Sequence, residues 1–466
     1  MLQKGQIFFR KCVKLIQSLP AVCFFFKKNY DICFLQKHKY RELYLLERLN
    51  VKFFISCKRR VEQAVIQELQ RKSVIKLAFV VPMIQIWLGD AILDIFSSDE
   101  RFDVSVIICT FDNGSDAFIE KEFKRAVDYF KERNVRCYLL EKVEKRWEKT
   151  GMPDICFYTN PYIEALPYAI NLMTIPLTTL SVYVGYAYMI DRIEAIQFNM
   201  PIHNMLWRHY THSPMYFEIA KEFSDIRGQN MVFSGYPKMD RMYEDLGALE
   251  TGEKIEWKQS DASGEQVIRI IYAPHHSIRD AMPGFGTFDT NYRRIYEMAR
   301  NHANTTSWII KPHPVLRKTV ESEGFMTVEE YEAYLEQWNA LPNARVVEDG
   351  DYLRWFQTSD CIILDSISFL VEYLFVDKPI FFLNRGNAQF NQLGVLLQTA
   401  LYQVDAKDIA KLEEEMEGLL KADPLKPQRQ AFFKKYVDYA GLNGKLASRF
   451  IYDDIREQLT GDRMER

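Results

Sequence analysis

No stretch of this 466-residue chain reaches 18 consecutive apolar residues, which argues against a membrane-spanning helix. The largely apolar segment from Leu15 to Phe26 follows Lys4, Arg10, Lys11 and Lys14 in the manner of a secretory leader. Lys27-Lys28 then stands where a small-residue cleavage site belongs, so export is not expected. The eight cysteines are scattered, with no CxxC pair and no Cys/His group at metal-ligand spacing. Several sit inside apolar runs, where a thiol packs as a small core residue. A reducing, cytoplasmic compartment is the expectation, with no structural zinc and no cofactor. GxxxxGK[ST], GxSxG and HExxH are all missing. Gly284-Phe-Gly286 lacks a third glycine and does not directly follow a strand, so it is no dinucleotide fingerprint. Repeats and low-complexity tracts are absent too.

What is present is the composition of an ordinary globular protein, 48% hydrophobic and 26% charged, long enough for two or three domains. The net charge of −3 hides an asymmetry. Residues 1–76 hold 17 Lys/Arg against 5 Asp/Glu, a charge of +12, and the remainder carries −15. Phe8-Phe9, Phe24-Phe25-Phe26, Phe53-Phe54 and Lys58-Arg59-Arg60 mix aromatics with cations over 1–72. That chemistry suits an element lying on an anionic membrane surface. A docked helical extension with a solvated charged face is the simpler alternative. No nucleic-acid-binding module is recognisable.

From residue 75 onward, short apolar strands alternate with helices, the pattern of right-handed βαβ units in a parallel sheet. Strands are expected at 76–81, 103–109, 135–140 and 154–158, with further strands at 178–186 and 229–233, and helices at 87–96 and 116–133. A polar stretch at 250–265 precedes a second α/β block. Its strands are expected at 267–272, 307–311, 344–347, 361–364 and 379–383, and its helices at 290–301, 327–338, 352–357 and 369–376. The division that follows is an extension at 1–72, a first Rossmann-like domain at 73–248, a second at 249–406, and closing helices at 407–466. The expected fold class is α/β, with two such domains facing across a cleft.

Three segments of the second block leave predicted strands at the same end: Tyr272-Ala-Pro-His-His-Ser277, Lys311-Pro-His-Pro314 and Asp365-Ser-Ile-Ser368. In a parallel sheet these exits converge. His275, His276, Ser277, Lys311, His313, Asp365, Ser366 and Ser368 can therefore line one pocket. A cation, imidazoles, hydroxyls and a capped helix end suit a diphosphate, and imidazoles can also move protons near neutral pH. Glu372 lies two turns beyond Asp365, within reach of a ribose hydroxyl. Each segment also has a plainer reading: His-Pro as a turn, Asp-Ser as a helix cap, and Glu372 as a partly exposed helix residue. Asp349-Gly-Asp351 can bridge a metal to a diphosphate, but a turn plus cap is the simpler account.

Ser234-Gly-Tyr-Pro-Lys-Met-Asp240, Tyr272-Ala-Pro274, Lys311-Pro-His-Pro314, the run from Ser359-Asp360 through Asp365-Ser-Ile-Ser368 to Lys378-Pro379, and Asn443-Gly-Lys-Leu-Ala-Ser-Arg449 follow one another in a known order. Over about 155–455 the chain resembles the CDP-glycerol glycerophosphotransferases, bacterial enzymes of teichoic-acid and capsule polymers. The resemblance implies a metal-free enzyme of GT-B fold. Such an enzyme moves glycerol phosphate from CDP-glycerol to a hydroxyl of a lipid-linked or saccharide acceptor at the inner membrane face. It also implies that His313, Ser366 and Ser368 hold the donor diphosphate, with Lys311 and His313 stabilising the charge of transfer.

Two departures stand out. The family's His-Gly-Thr-Pro, whose histidine is its candidate base, is missing; the comparable region runs through Tyr183-Val-Gly-Tyr-Ala187, and the nearest histidines are His203, His209 and His212. Ser366-Ile367-Ser368 stands where relatives often carry Tyr-Ser-Ser. The Asp-Ser…Glu pattern also resembles GT-B nucleotide-sugar enzymes, among them the non-hydrolysing UDP-N-acetylglucosamine 2-epimerases. A nucleotide-sugar glycosyltransferase and a non-catalytic, membrane-associated subunit are therefore the alternatives.

Overall fold

The computed structural model describes residue 59 and residues 61–460, apart from 83, 85–86, 88, 110–115, 140–151, 162–165, 167–169, 171, 173–174, 176–177, 244–255, 259–266 and 349–351. The basic stretch read over 1–72 falls almost wholly outside the described residues, as does Asp349-Gly-Asp351. Among the described residues no helix is long and apolar enough to cross a membrane.

Runs of β-branched and aromatic residues build two wholly parallel sheets. The first holds β1 (Ile75–Val81), β2 (Phe102–Ile108), β3 (Cys137–Leu139), β4 (Ile155–Tyr158), β5 (Leu180–Val184), β6 (Arg208–Thr211) and β7 (Met231–Phe233). Their order across the sheet is β3-β2-β1-β4-β5-β6-β7. The second holds β8 (Ile268–Ala273), β9 (Thr306–Ile310), β10 (Ala344–Val346), β11 (Cys361–Leu364), β12 (Ile380–Asn384) and β13 (Tyr402–Asp405), ordered β10-β9-β8-β11-β12-β13. In both sheets the chain winds outward, returns to the middle and winds the other way. The reversal lies between β1 and β4 in one and between β8 and β11 in the other, and such switch points open a crevice at the strands' carboxyl ends. This is the two-sheet α/β architecture of a GT-B fold.

Sheets covered by helices on both faces need strands apolar on both faces, and β4, β5, β9 and β11 are buried at every position. One apolar cluster draws on both halves of the molecule. Leu77, Phe79 and Val182 of the first sheet join Ile362 and Leu364 of the second through Tyr236, Tyr439 and Ile451. A second cluster covers the far face of the second sheet, with Trp308 against Trp338. Cys109, Cys156 and Cys361 are unpaired and buried, and burial pushes all three thiols up.

The halves are also tied by backbone. Arg192 N–H donates to the Gln389 carbonyl at 3.0 Å, Asn391 N–H to the Ile190 carbonyl at 2.9 Å, and Asp191 bridges Phe390. After β13 the chain is helical, as expected, and the last helix, Ala447–Thr460, returns to the first sheet. Asp454 accepts from Arg208 Nε at 3.0 Å and Tyr210 OH at 2.6 Å, while Tyr452 OH donates to Asp99 at 2.7 Å.

Three expectations need correction. The helix expected over 369–376 is one α-turn, Phe369–Glu372, followed by a 3-10 turn, Tyr373–Val376, which ends at left-handed Asp377. The helix expected from 87 starts at Asp90, because the Trp87 side chain folds over Gly89 and donates to Asp90 at 2.7 Å. Strands β6 and β13 appear where none was expected, since Arg-His-Tyr-Thr and Tyr-Gln-Val-Asp carry no apolar run.

Candidate active site

The register brings the three exits together. Leu364 lies beside Ala273 and Tyr272 beside Ile310, so Pro274-His275-His276, Lys311-Pro-His313 and Asp365-Ser366 emerge side by side at the β8/β11 switch point. Two backbone bonds lock the first pair of loops: Lys311 N–H donates to the Tyr272 carbonyl at 2.8 Å, and His313 N–H to the Pro274 carbonyl at 3.0 Å. As a result, three imidazoles form a triangle. The His275 and His276 ring centres are 4.4 Å apart, His276 and His313 4.5 Å, and His275 and His313 4.9 Å.

Local bonds fix two of these rings. The Ser277 hydroxyl accepts from Phe285 N–H at 2.9 Å and Gly286 N–H at 3.2 Å. Its own proton is left for His275 Nδ1, 2.7 Å away, which also receives the Ser277 N–H at 3.3 Å. His313 Nδ1 accepts the Val315 N–H at 3.2 Å. With Nδ1 an acceptor, each neutral ring keeps its proton on Nε2. Packing holds them neutral: burial pushes His276 down to about 4, and burial followed by the His276 and Lys311 charges pushes His313 down to about 3. His275 is lowered too, by burial first and then by its two neighbours. In this structure they are therefore hydrogen-bond donors, whereas the sequence suggested groups exchanging protons near neutral pH.

One nitrogen from each ring lies within 4.8 Å of the other two, so a metal must be considered. The bonding pattern does not fit one. A ring that binds metal through Nε2 carries its proton on Nδ1, which would set N–H against N–H at Val315 and at Ser277. Neutral rings that keep Nε2–H as a donor suit an anion instead.

Asp365 neither caps the following helix nor faces the crevice. Its carboxylate takes the His275 N–H, the Thr287 N–H and the Thr287 hydroxyl, the last at 2.7 Å. Ser368 occupies the N-cap without a side-chain cap bond. Burial lifts the Asp365 carboxyl to about 6 against the pull of those bonds. It therefore acts as the staple that holds the His275 loop to β11. Ser366 is buried beside it and Ser368 half-buried at the turn. Lys311 is half-buried, with Nζ donating to the Glu348 carbonyl at 2.6 Å. Its ammonium holds the β10 exit while adding charge near His313.

Glu372 is 2% exposed, and burial raises its carboxyl, with Lys238, Tyr352 and Ser368 working in the other direction. Tyr352 OH donates to it, and Lys238 stands over the Tyr352 ring at 4.5 Å. Lys238 belongs to the first half of the molecule, so both halves build this corner. Thr287, Tyr352 and Lys238 were not singled out from the sequence. Only Lys238, inside Ser234-Gly-Tyr-Pro-Lys-Met-Asp240, carried a signal.

The model of the CDP-glycerol:poly(glycerophosphate) glycerophosphotransferase family matches residues 202–450, more than half of the chain. The chain belongs to this family. A curated relative, the teichoic acid glycerol-phosphate primase of Bacillus spizizenii, is 25% identical over 215 residues, 43% of this chain and 49% of the relative. The chain thus spans about half the length of the curated relative it matches. Among solved structures, a His→Asn variant of the wall teichoic acid polymerase TagF superposes with a TM-score of 0.54 at 13% identity, covering 89% of this chain and 97% of that one. Staphylococcus aureus MnaA with UDP gives 0.52 at 10% identity, covering 84% and 99%. At such identities the likeness is one of fold alone.

In this glycerophosphotransferase family member the described first-half histidines are all interior. His203 and His209 stack at 5.2 Å beneath Tyr183, and His212 stacks on Tyr236 at 4.3 Å, beside Gly185. Burial lowers all three. The β5 exit, Gly185-Tyr-Ala187, carries no histidine. Two of the family-like motifs meet directly: Asp240 accepts from Ala447 N–H at 2.9 Å, Ser448 N–H at 2.8 Å, the Ser448 hydroxyl at 2.5 Å and Tyr439 OH at 2.8 Å. Through Asp240 these two motifs tie the last helix to the fold.

Proposed function

We propose that this protein transfers glycerol phosphate, or a related polyol phosphate, from a CDP-activated donor to a hydroxyl of a lipid-linked or saccharide acceptor. The product would be a cell-surface polymer of the teichoic-acid or capsule kind. Family membership supports the reaction class. The observation that carries the donor site is the pair of neutral imidazoles, His275 and His313, whose rings meet at 4.9 Å from the β8 and β9 exits beside the β8/β11 switch point with Nδ1 engaged and Nε2–H left as the donor.

The acceptor hydroxyl oxygen attacks the donor's β-phosphorus and gives its proton up to solvent, and the bond to the CMP oxygen breaks with its electron pair leaving on CMP. His313 and His275 hydrogen-bond the phosphate oxygens as charge builds there, and Lys311 adds a fixed positive charge. Preorganised donors of this kind carry most of such catalysis. Ser366 and Ser368 lie at the same edge, and Glu372 offers a carboxylate to a ribose hydroxyl. No metal enters the scheme, because the imidazoles and Lys311 do the neutralising. The protein works at the cytoplasmic face of the membrane, with the basic residues 1–72 on anionic lipid.

Replacing His313 with Ala tests this reading. CMP release from CDP-glycerol should fall by about 100-fold, the usual cost of losing one such donor, and CDP-glycerol should bind more weakly. Unchanged turnover removes His313 from the site. A thermal-shift screen of CDP-glycerol, CDP-ribitol, UDP-sugars and GDP-sugars decides between this donor class and the nucleotide-sugar reading that the MnaA-like fold keeps open.

A further inference from the structure

A diphosphate donor brings two negative charges to a loop cluster whose three imidazoles are neutral, and the geometry says which of them can change that. Protonating a ring requires a free lone pair. On His275 and His313 that lone pair is on Nδ1, and it is already taken, by Ser277 in one case and by the Val315 N–H in the other. A second proton there would set N–H against N–H. The His276 ring makes no such bond among the described residues, and it stands between the other two at 4.4 and 4.5 Å. The titratable groups around it are His275 on its own loop, His313 and Lys311 from the β9 exit, and Asp365 from the β11 exit. The Asp365 carboxylate is taken up by the His275 and Thr287 backbone N–H groups and the Thr287 hydroxyl. Among the described residues no carboxylate is hydrogen-bonded to any of the three rings, so an imidazolium there has no directly bonded counter-ion until an anion arrives.

We infer that His276 is the proton carrier of the donor site: it takes a proton from solvent as the donor's diphosphate enters and gives it back when the nucleotide leaves. The division of labour is then definite. His275 and His313 orient the phosphates as neutral Nε2–H donors, and His276 supplies charge that is present only in the complex. The values for the free rings agree with this, since His276, at about 4 against about 3 for His313, is the less depressed and so the more readily charged by an adjacent anion. The inference rests on the donor reading above and adds to it a linkage between nucleotide binding and protons.

The test is calorimetry of the full chain with CDP-glycerol, whose bridging diphosphate has no group titrating near neutral pH. Binding is measured at pH 7 in several buffers of different ionisation enthalpy. The observed enthalpy should vary with that of the buffer, with a slope corresponding to uptake of up to about one proton. Donor affinity should fall as pH rises, approaching about tenfold per unit. Binding without uptake overturns the inference and leaves the proposed function standing. Absence of CDP-glycerol binding overturns both. In His276→Gln, checked for folding by its melt, uptake should vanish while binding weakens. In wild-type protein with 13C-labelled histidine, one Cε1–H signal, assigned through the same variant, should move to the imidazolium position on adding CDP-glycerol. Movement of a different ring, or of none, overturns the assignment.

Discussion

Every imidazole at the donor edge is held uncharged by its surroundings, and this has a consequence for the protein without ligand. A free imidazole titrates near 6.5, whereas His276 and His313 are pushed down to about 4 and about 3. Between about 6.5 and about 4 the unfolded chain binds protons that the folded chain does not, so stability falls as pH drops through that window. Asp365 has the opposite sign. Its folded value of about 6 lies above the ordinary carboxylate's, so the stability it contributes is lost as pH rises toward 6. Glu372 is raised in the same sense, and three imidazoles against these two acids leave a net fall on acidification. A His276→Gln/His313→Gln double variant should therefore lose less melting temperature between pH 7 and pH 5 than the wild type does. Parallel pH profiles for the two proteins would show that the cluster is not held neutral.

At the scale of elements, the contact between the Ser234–Asp240 motif and the helix Ala447–Thr460 is the part most open to test. Asp240 is buried and satisfies two of the helix's first backbone N–H groups, which have no intrahelical partner. Next to it Gly235 has φ +92°, and a β-carbon there would run into the Tyr439 ring. Asp240→Ala strands those donors in the interior. The expected cost is about 3 kcal/mol, read by urea unfolding, together with faster amide exchange confined to 447–460 and its neighbours. Unaltered exchange in that helix would contradict the clamp.

The same scale shows what could be read from sequence. Cys361-Ile-Ile-Leu364 was legible because four apolar residues end abruptly at Asp365, and both neighbours of this strand share that habit. β6 was not, because half-buried Arg208 and buried His209 and Thr211 are placed for reasons set elsewhere, among them the Asp454 pair. The convergence of three strand exits followed from parallel topology alone. The staple did not: Thr287 is 78 residues from Asp365, and nothing local marks it as that carboxylate's partner. Lys311 was legible as a charge at the site, but its bond to the Glu348 carbonyl depends on where β10 ends.

Across the whole molecule, the donor corner belongs to neither half alone. Glu372 leaves β11 on the second half, and the cation that faces it, Lys238, comes from the far side of the crevice over the Tyr352 ring. A carboxylate this deeply buried is costly without a countercharge. Lys238 thus favours the ionised form of Glu372, the form able to accept a ribose hydroxyl, and it does so only while the halves keep this arrangement. The shared apolar cluster and the 189–192 contact with 389–391 maintain it. Lys238→Met should weaken CDP-glycerol binding about tenfold, or ~1.4 kcal/mol, by raising KM more than it lowers kcat. Lys238→Arg, which keeps the charge over the ring, should recover most of the loss. The measurement is calorimetry beside steady-state CMP release. If Lys238→Met binds CDP-glycerol as tightly as wild type, Glu372 owes its state to Tyr352 and Ser368 alone, and the two halves do not share the site.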